Sequence, residues 1–413
     1  MQLFGMSAEK GRWLLIPLSA TVLLCLGTVY SWSIFRKPLE KLLNINATES
    51  LLPFTVLLVL FAVLMPITGF YINRFGTRVV TAVGGVIMGL GYILSSFNSN
   101  LQMLTLTYGV IAGIGVGIAY GVPIAVVAKW FPDKKGIAVG LTVIGFGLSP
   151  LITAPLAKSL IDSYGVRQTF VILGLAFTAI ILAIATVLKT PPEDWKPAGW
   201  NPATSSQSNT SVTSLETLLQ TPAFYGLWLC YTIATFSGLA AIGISSPLAQ
   251  EIIKLDAATA ANTVSIFAVF NALGRLFFGW FTDRFSPKSG AIISFVLFLI
   301  ASLMMLKSGE GTVATYLVAF SLFYFSFGGW LAIAPTTTLI LFSSADYAKN
   351  YGIVFTAYGA GALGGTLLAG RIRDIFGSYT VFFYPTTALA ILGIILAVFM
   401  LKRSFSNSNV AQV

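Results

Sequence analysis

GFYINRF (Gly69 to Phe75) and GWFTDRF (Gly279 to Phe285) stand 210 residues apart, and each closes an apolar block long enough to cross a bilayer. The same spacing recurs elsewhere. Pro123 and Pro335 lie 212 residues apart inside two apolar blocks, and Asp162 to Gly165 and Asp374 to Gly377 follow two others at the same offset. Three features repeated in the same order mark a duplicated unit of six helices. The composition agrees. Of 413 residues, 56% are hydrophobic and 9% charged, far below the roughly 25% charged of a soluble domain. The apolar blocks run to about 20 residues, which at 1.5 Å per residue spans a hydrocarbon core. They predict an all-α membrane protein with twelve transmembrane helices at 12–35, 51–72, 79–98, 101–128, 136–160, 166–188, 222–246, 258–282, 289–306, 312–342, 350–370 and 379–401. The Pro/Ser/Thr-rich stretch after the sixth is too polar for the membrane. This gives a six-helix bundle over 1–188, a cytoplasmic linker over 189–221 and a second, pseudo-symmetric bundle over 222–413.

The formal charge of +10 is spread over loops and span ends, so it does not form a nucleic-acid surface. With the N-terminus in the cytoplasm, 14 basic residues, Lys402 and Arg403 among them, fall inside and nine outside. That bias predicts a multi-pass protein of the cell membrane with both termini cytoplasmic. Cys25 and Cys230 both lie inside spans, where they read as packing residues. Histidine is absent. No metal site or cofactor is expected, and an enzyme would need a nucleophile–base pair or metal ligands that the spans do not offer.

The loop GFYINRFGTR carries Gly69, Asn73, Arg74, Gly76 and Arg78, and its repeat carries Asp283 and Arg284. Such short charged loops at helix ends lock neighbouring helices through charge and helix-dipole contacts, with Gly69 expected to permit close backbone approach. The motif closely resembles that of the major facilitator superfamily, where the position of Asn73 is usually aspartate. A narrower likeness runs over the whole chain. GTVYSWSIF (Gly27 to Phe35), GIGVGIAYGVPIAVVAKWFPDKKGIAVGLTVIGFG (Gly113 to Gly147), PPEDWKP (191–197) and YGIVFTAYGAGALGG (Tyr351 to Gly365) resemble the oxalate/formate antiporter family, which is close to the monocarboxylate transporters. The resemblance implies a major facilitator fold and movement of small carboxylates.

Arg275 stands eight residues before Asp283, ~12 Å into the membrane. A guanidinium at that depth costs at least ~2.5 kcal/mol unless it faces a cavity or a partner. No acidic residue lies in a span core to pair with it. An anionic substrate would, since the guanidinium fork matches a carboxylate. The resemblance places its substrate-binding arginine here and a substrate-facing tyrosine at Tyr120. Tyr358 lies at Tyr120's depth, so the three residues are expected to ring one cavity. Oxalate-exchanging relatives resemble this chain but have lysine at the place of Tyr358, so one buried positive charge here points to a monoanion. Asn271, one turn before Arg275, replaces an aspartate that mammalian monocarboxylate transporters use in proton movement. It reads equally as a site residue and as a helix–helix hydrogen bonder.

Tyr30, Trp32, Tyr324, Phe327 and Trp330 form an aromatic set that reads either as cavity lining or as membrane-interface residues. The glycines of GIGVG (113–117) and GAGALGG (359–365) have the small-residue spacing of close helix packing.

The expectation is a secondary active transporter, acting as a monomer, that takes a lactate-, pyruvate- or formate-like monocarboxylate by alternating access. Anion exchange and proton symport are both open. The alternatives are a dicarboxylate such as oxalate, a neutral or drug-like solute, or an anion channel, which would show rings of like residues along a pore. The expected substrate contacts are Arg275, Tyr120, Tyr358, Asn271, Tyr30 and Trp330.

Overall fold

The structure is a computed structural model and describes residues 2–192, 195–197, 215–342 and 347–401. Ten apolar helical stretches are long enough to cross a membrane. Two of them are double. Ala47–Ser95 is broken at Gly76 and Lys135–Ala185 at Gly165, both glycines at φ 78°. That conformation is left-handed and suits a residue without Cβ. Divided there, the described residues form twelve spans: α1 (Ala8–Leu43), α2 (47–75), α3 (77–95), α4 (Leu101–Trp130), α5 (135–164), α6 (166–185), α7 (Pro222–Ile253), α8 (Ala257–Arg284), α9 (Pro287–Leu306), α10 (Val313–Leu341), α11 (Tyr347–Phe376) and α12 (Thr380–Met400). The strands among the described residues form a single hairpin, Gln2–Leu3 with Met6–Ser7.

The repeat is visible in the backbone. Gly165 after α5 and its counterpart Gly377 after α11 both take positive φ, 78° and 69°. At the other repeated corner the two halves differ. Gly76 is matched by Ser286, which stays extended and accepts a hydrogen bond from the Ser289 amide as the N-cap of α9. Packing repeats too, with α1 against α5 and α2 against α4 in the first half, and α7 against α11 and α8 against α10 in the second. Glycines set these contacts as the spacing predicts. A Cβ on Gly117 of α4 would lie 2.7 Å from Leu64 Cβ of α2, and one on Gly365 of α11 2.1 Å from the Phe236 carbonyl oxygen of α7.

The halves meet along α2 with α11 and α5 with α8. Polar ties between them, among the described residues, run from mid-membrane to the face opposite the N-terminus. On that face Arg36 of α1 is fully buried. It donates to Ser50 Oγ (2.9 Å), Glu40 and the Ala47 carbonyl in its own half, and to the Gly243 carbonyl (3.1 Å) and Tyr379 Oη (2.9 Å) in the other. Lys37 pairs with Glu251 of α7, which also accepts from Arg373 of α11. Asp374 accepts from the amides of Ala47 (3.0 Å) and Thr48 (2.9 Å), the first turn of α2. Asn46 and Glu49 form a reciprocal capping box at the same end, so four of the helix's opening N–H groups are satisfied, two of them from the other half.

On the N-terminal face the ties are internal to the first half. Arg12 makes paired hydrogen bonds to Asp133 (2.6 and 2.9 Å) and lies over the rings of Phe131 and Trp195. The Arg12 guanidinium holds the Asp133 carboxyl below its ordinary range. Trp195 brings the start of the expected linker onto this half. Much of the rest of the linker, and Lys402 and Arg403, lie outside the described residues.

Candidate functional site

At mid-membrane, α8 carries Asn271 and Arg275 one turn apart on a buried face. Arg275 Nε donates to Asn271 Oδ1 (3.3 Å), and Nη1 donates across the interface to the Val143 carbonyl of α5 (2.9 Å). Asn271 Nδ2 in turn donates to the Tyr324 carbonyl of α10 (3.3 Å). Asn271 is thus a brace between helices and, by the same bonds, the residue that aims Arg275. Arg275 is 7% exposed, has no carboxylate partner among the described residues, and keeps Nη2 without a hydrogen-bond partner in the protein.

Arg275 has room because Gly147 stands opposite it. A Cβ there would lie 2.6 Å from Asn271 Oδ1 and 3.1 Å from Arg275 Nε. Gly147→Ala is therefore expected to push the Asn271–Arg275 pair off its present rotamers at about 1–3 kcal/mol, the usual cost of overpacking. Thermal unfolding of the purified protein would show the loss, and an unchanged melting point would mean that the pair swings away freely.

Tyr120 of α4, Tyr30 of α1 and Tyr358 of α11 come together here. Tyr30 and Tyr358 share a 2.9 Å hydrogen bond between hydroxyls, joining the two halves. Tyr120 packs edge-on against Phe61 (4.9 Å) and Phe146 (5.1 Å), and Tyr30 against Phe146 (5.0 Å) and Phe327 (5.9 Å). Tyr30 and Tyr120 both lie within electrostatic reach of Arg275. The result is one cation surrounded by phenols and phenyl rings. The face edges and hydroxyls suit a small anion with an apolar body.

The aromatic set divides. All five are buried in protein, so none is a membrane-interface residue. Tyr30 and Phe327 line the site. Trp32 instead donates to the Ser50 carbonyl and stacks on Tyr108, and Tyr324 donates to Ser245. Trp330 makes no ring contact with Tyr30, Tyr120 or Tyr358 and is stacked on Tyr231.

The loop motifs are exposed. Asn73, Arg74, Gly76, Arg78, Asp283 and Arg284 face outward, and none of the charged ones forms an ion pair among the described residues; Arg74 rests over the Phe75 ring. The close approach expected at Gly69 is not there, since nothing lies within 4 Å of where its Cβ would stand. Sequence reading missed the Val143 carbonyl, Gly147 and Tyr231. Gly147 lay inside a quoted motif, but its small size gains meaning only from the helix facing it.

The model of the Major Facilitator Superfamily matches residues 18–261 and 227–412. A protein of Escherichia coli (strain K12) described as the uncharacterized MFS-type transporter YhjX is 29% identical over 86% of this chain and 87% of its own. The oxalate:formate antiporter of Oxalobacter formigenes is 29% identical over 95% of this chain and 92% of its own, and human monocarboxylate transporter 12 is 28% identical over 75% and 65%. Among solved structures, a bacterial homolog of the human lysosomal transporter Spinster in an inward-facing, unoccupied conformation has a TM-score of 0.69 at 14% identity, covering 94% of this chain and 96% of that one. The nucleoside transporter NupG has a TM-score of 0.73 at 13% identity, covering 95% and 100%. At those identities the structures establish the fold.

Proposed function

This chain belongs to the Major Facilitator Superfamily, and from that premise we propose that it is a secondary active transporter of small organic monocarboxylates. The observation that carries the reading is Arg275, a buried arginine with one guanidinium nitrogen unpartnered, no carboxylate paired with it among the described residues, and the Tyr30 and Tyr120 phenols, both packed on Phe146, within its electrostatic reach. A substrate carboxylate completes its hydrogen bonding and neutralises it. Tyr120 donates to the bound anion, and Phe61, Phe146 and Phe327 enclose its carbon skeleton. The relatives named for oxalate, formate and monocarboxylates support this class. The single cation, with tyrosine at position 358, favours a monoanion.

Transport then proceeds by alternating access between the bundles 1–188 and 222–413, with both termini cytoplasmic. The substrate bridges α8 to α4 and α5, so its binding acts on the interface where Tyr30 and Tyr358 already join the halves. With asparagine at 271, no protonatable carboxylate adjoins Arg275 among the described residues, which favours exchange of anions over symport through this helix.

The two exposed loop motifs are proposed to latch the N-terminal face in the alternate state, because they hold charges that form no ion pair in this one. An Arg74→Ala variant should then exchange substrate at a rate changed by at least severalfold, about what a lost ion pair of ~1 kcal/mol gives. An unchanged rate would remove Arg74 from the gate.

The test is uptake of labelled lactate, pyruvate, formate and oxalate into proteoliposomes, with and without a preloaded carboxylate and with and without a pH gradient. Saturable monocarboxylate uptake stimulated by internal carboxylate supports the proposal and exchange. Failure of all four to enter or to compete overturns the substrate class.

A further inference from the structure

Gly147 of α5 presses on the α8 pair, where its Cβ would lie 2.6 Å from Asn271 Oδ1 and 3.2 Å from the Arg275 guanidinium carbon. Gly140 and Gly136 stand seven and eleven residues earlier on the same helix, and at 3.6 residues per turn their Cα–Cβ directions fall within roughly 20° of Gly147's. They therefore face α8 as well. Yet no described atom lies within 4 Å of the place of either Cβ. Across from them, a Cβ on Gly279, one turn past Arg275, would meet only the Ala332 methyl of its own half, at 3.7 Å. α5 and α8 thus touch at mid-membrane and part over the next ~10–16 Å toward the N-terminal face.

The other seam between the halves does not part. On α11, a Cβ on Gly359 would lie 3.0 Å from Ala62 Cβ of α2, and one on Gly352, nearer the N-terminal face, 2.7 Å from Pro66 Cβ. The gap is one-sided, and it begins at the guanidinium. Arg275 Nη1 donates to the Val143 carbonyl of α5 (2.9 Å), between Gly147 and Gly140, and Nη2 is left without a partner in the protein. From there to the face neither helix brings a charge to the seam, since Gly136 to Gly147 and Leu276 to Thr282 hold only glycine, threonine and apolar residues. Ile137 and Leu276, beside the gap, are exposed, and an apolar side chain exposed at this depth meets acyl chains.

We propose that this cleft holds the alkyl tail of a monocarboxylate whose head is bound by Arg275, so that the site takes medium-chain n-alkyl carboxylates as well as small acids. A closed chamber would limit chain length. A seam open along one side does not, and each methylene withdrawn from water raises affinity about fourfold. The inference rests on the carboxylate reading given above, because head and tail share Arg275.

The experiment measures Kd for butyrate, hexanoate, octanoate and decanoate, each below its micelle concentration, on the protein in lipid nanodiscs, for the parent, Gly140→Leu and Arg275→Ala. In the parent, affinity is expected to rise at least roughly a hundredfold from butyrate to octanoate. Gly140→Leu fills the gap, so it should bind butyrate like the parent and octanoate and decanoate at least roughly tenfold more weakly. Its unliganded melting point should hold or rise, since the leucine meets open space and favours helix over glycine. Decanoate carrying a terminal diazirine should label residues 136–141 or 276–280, and excess butyrate should abolish that labelling. Affinity that stops rising beyond butyrate, a chain-length gain kept in Gly140→Leu, a marked fall in that variant's melting point, or labelling confined to other segments each overturns the proposal; Arg275-dependent binding of butyrate then leaves the carboxylate reading standing. If no acid binds, or all bind Arg275→Ala as well as the parent, the carboxylate reading itself has failed and this inference falls with it.

Discussion

Arg275→Lys is expected to lower carboxylate uptake, as kcat/KM, by at least roughly a hundredfold, the equivalent of one to two charge-assisted hydrogen bonds. The guanidinium does three things at once. Nε engages Asn271, Nη1 engages the Val143 carbonyl, and Nη2 is left for the ligand. An ammonium on a flexible stem keeps the charge but has one nitrogen, so it either holds α5 or meets the anion. Arg275→Ala should abolish uptake altogether. Its effect on folding should run the other way, because deleting an uncompensated buried charge relieves a desolvation penalty. Uptake and melting point measured on the same preparations would show activity lost while stability holds or rises. A lysine variant that transports like the parent would end the case for capture by the guanidinium.

The second large effect is expected at Arg36. Removing its side chain takes the donor from the Gly243 carbonyl and the Tyr379 hydroxyl and the buried charge from Glu40, while Ser50, Glu40 and the Ala47 carbonyl keep only one another and Lys37. Breaking a buried ionic network of this kind costs about 3–5 kcal/mol. Because two of the bonds cross between the halves, part of that loss falls on the state in which this face is shut. Ser245, buried on α7 and bonded to Ser33 of α1, reports the opening. In an Arg36→Ala background, a Ser245→Cys reporter should react with a membrane-impermeant maleimide at least roughly tenfold faster, since a shift of 1.4 kcal/mol already changes a population tenfold. Equal labelling together with an unchanged melting point would show that Arg36 ties nothing essential.

The fold was legible because it rests on signals that repeat: apolar length, three matched motifs, and glycine spacing in the packed helices. Of the two corner glycines of the first half, Gly165 recurs as Gly377, whereas Gly76 has no counterpart and Ser286 solves that corner by capping. Span ends were read too short where a helix continues past the bilayer. α1 runs on to Leu43 because its last turns bury Trp32, Ile34, Phe35, Arg36 and Leu39 against other helices. At the site, Arg275 was legible from cost alone, since a charge at that depth demands a partner. Tyr120 and Tyr358 were singled out by depth, Tyr120 also by resemblance, and Tyr30 as one of an aromatic set, and the structure brings the three together. Tyr231 was not singled out, because a tyrosine in an apolar run looks like packing until its hydroxyl is seen without a partner. Gly69 was misread for the opposite reason. Its motif implied crowding, and the neighbour that would crowd it is absent.

Asp374 caps the first turn of α2 from the other half of the molecule. When that face opens, the amides of Ala47 and Thr48 and the released carboxylate have to be taken over by solvent, so opening consumes water and closing expels it. The switch is therefore a hydration equilibrium as well as a mechanical one. On the proposed alternating-access cycle, excluded osmolytes on that side of the membrane are expected to favour the shut form without touching Arg275.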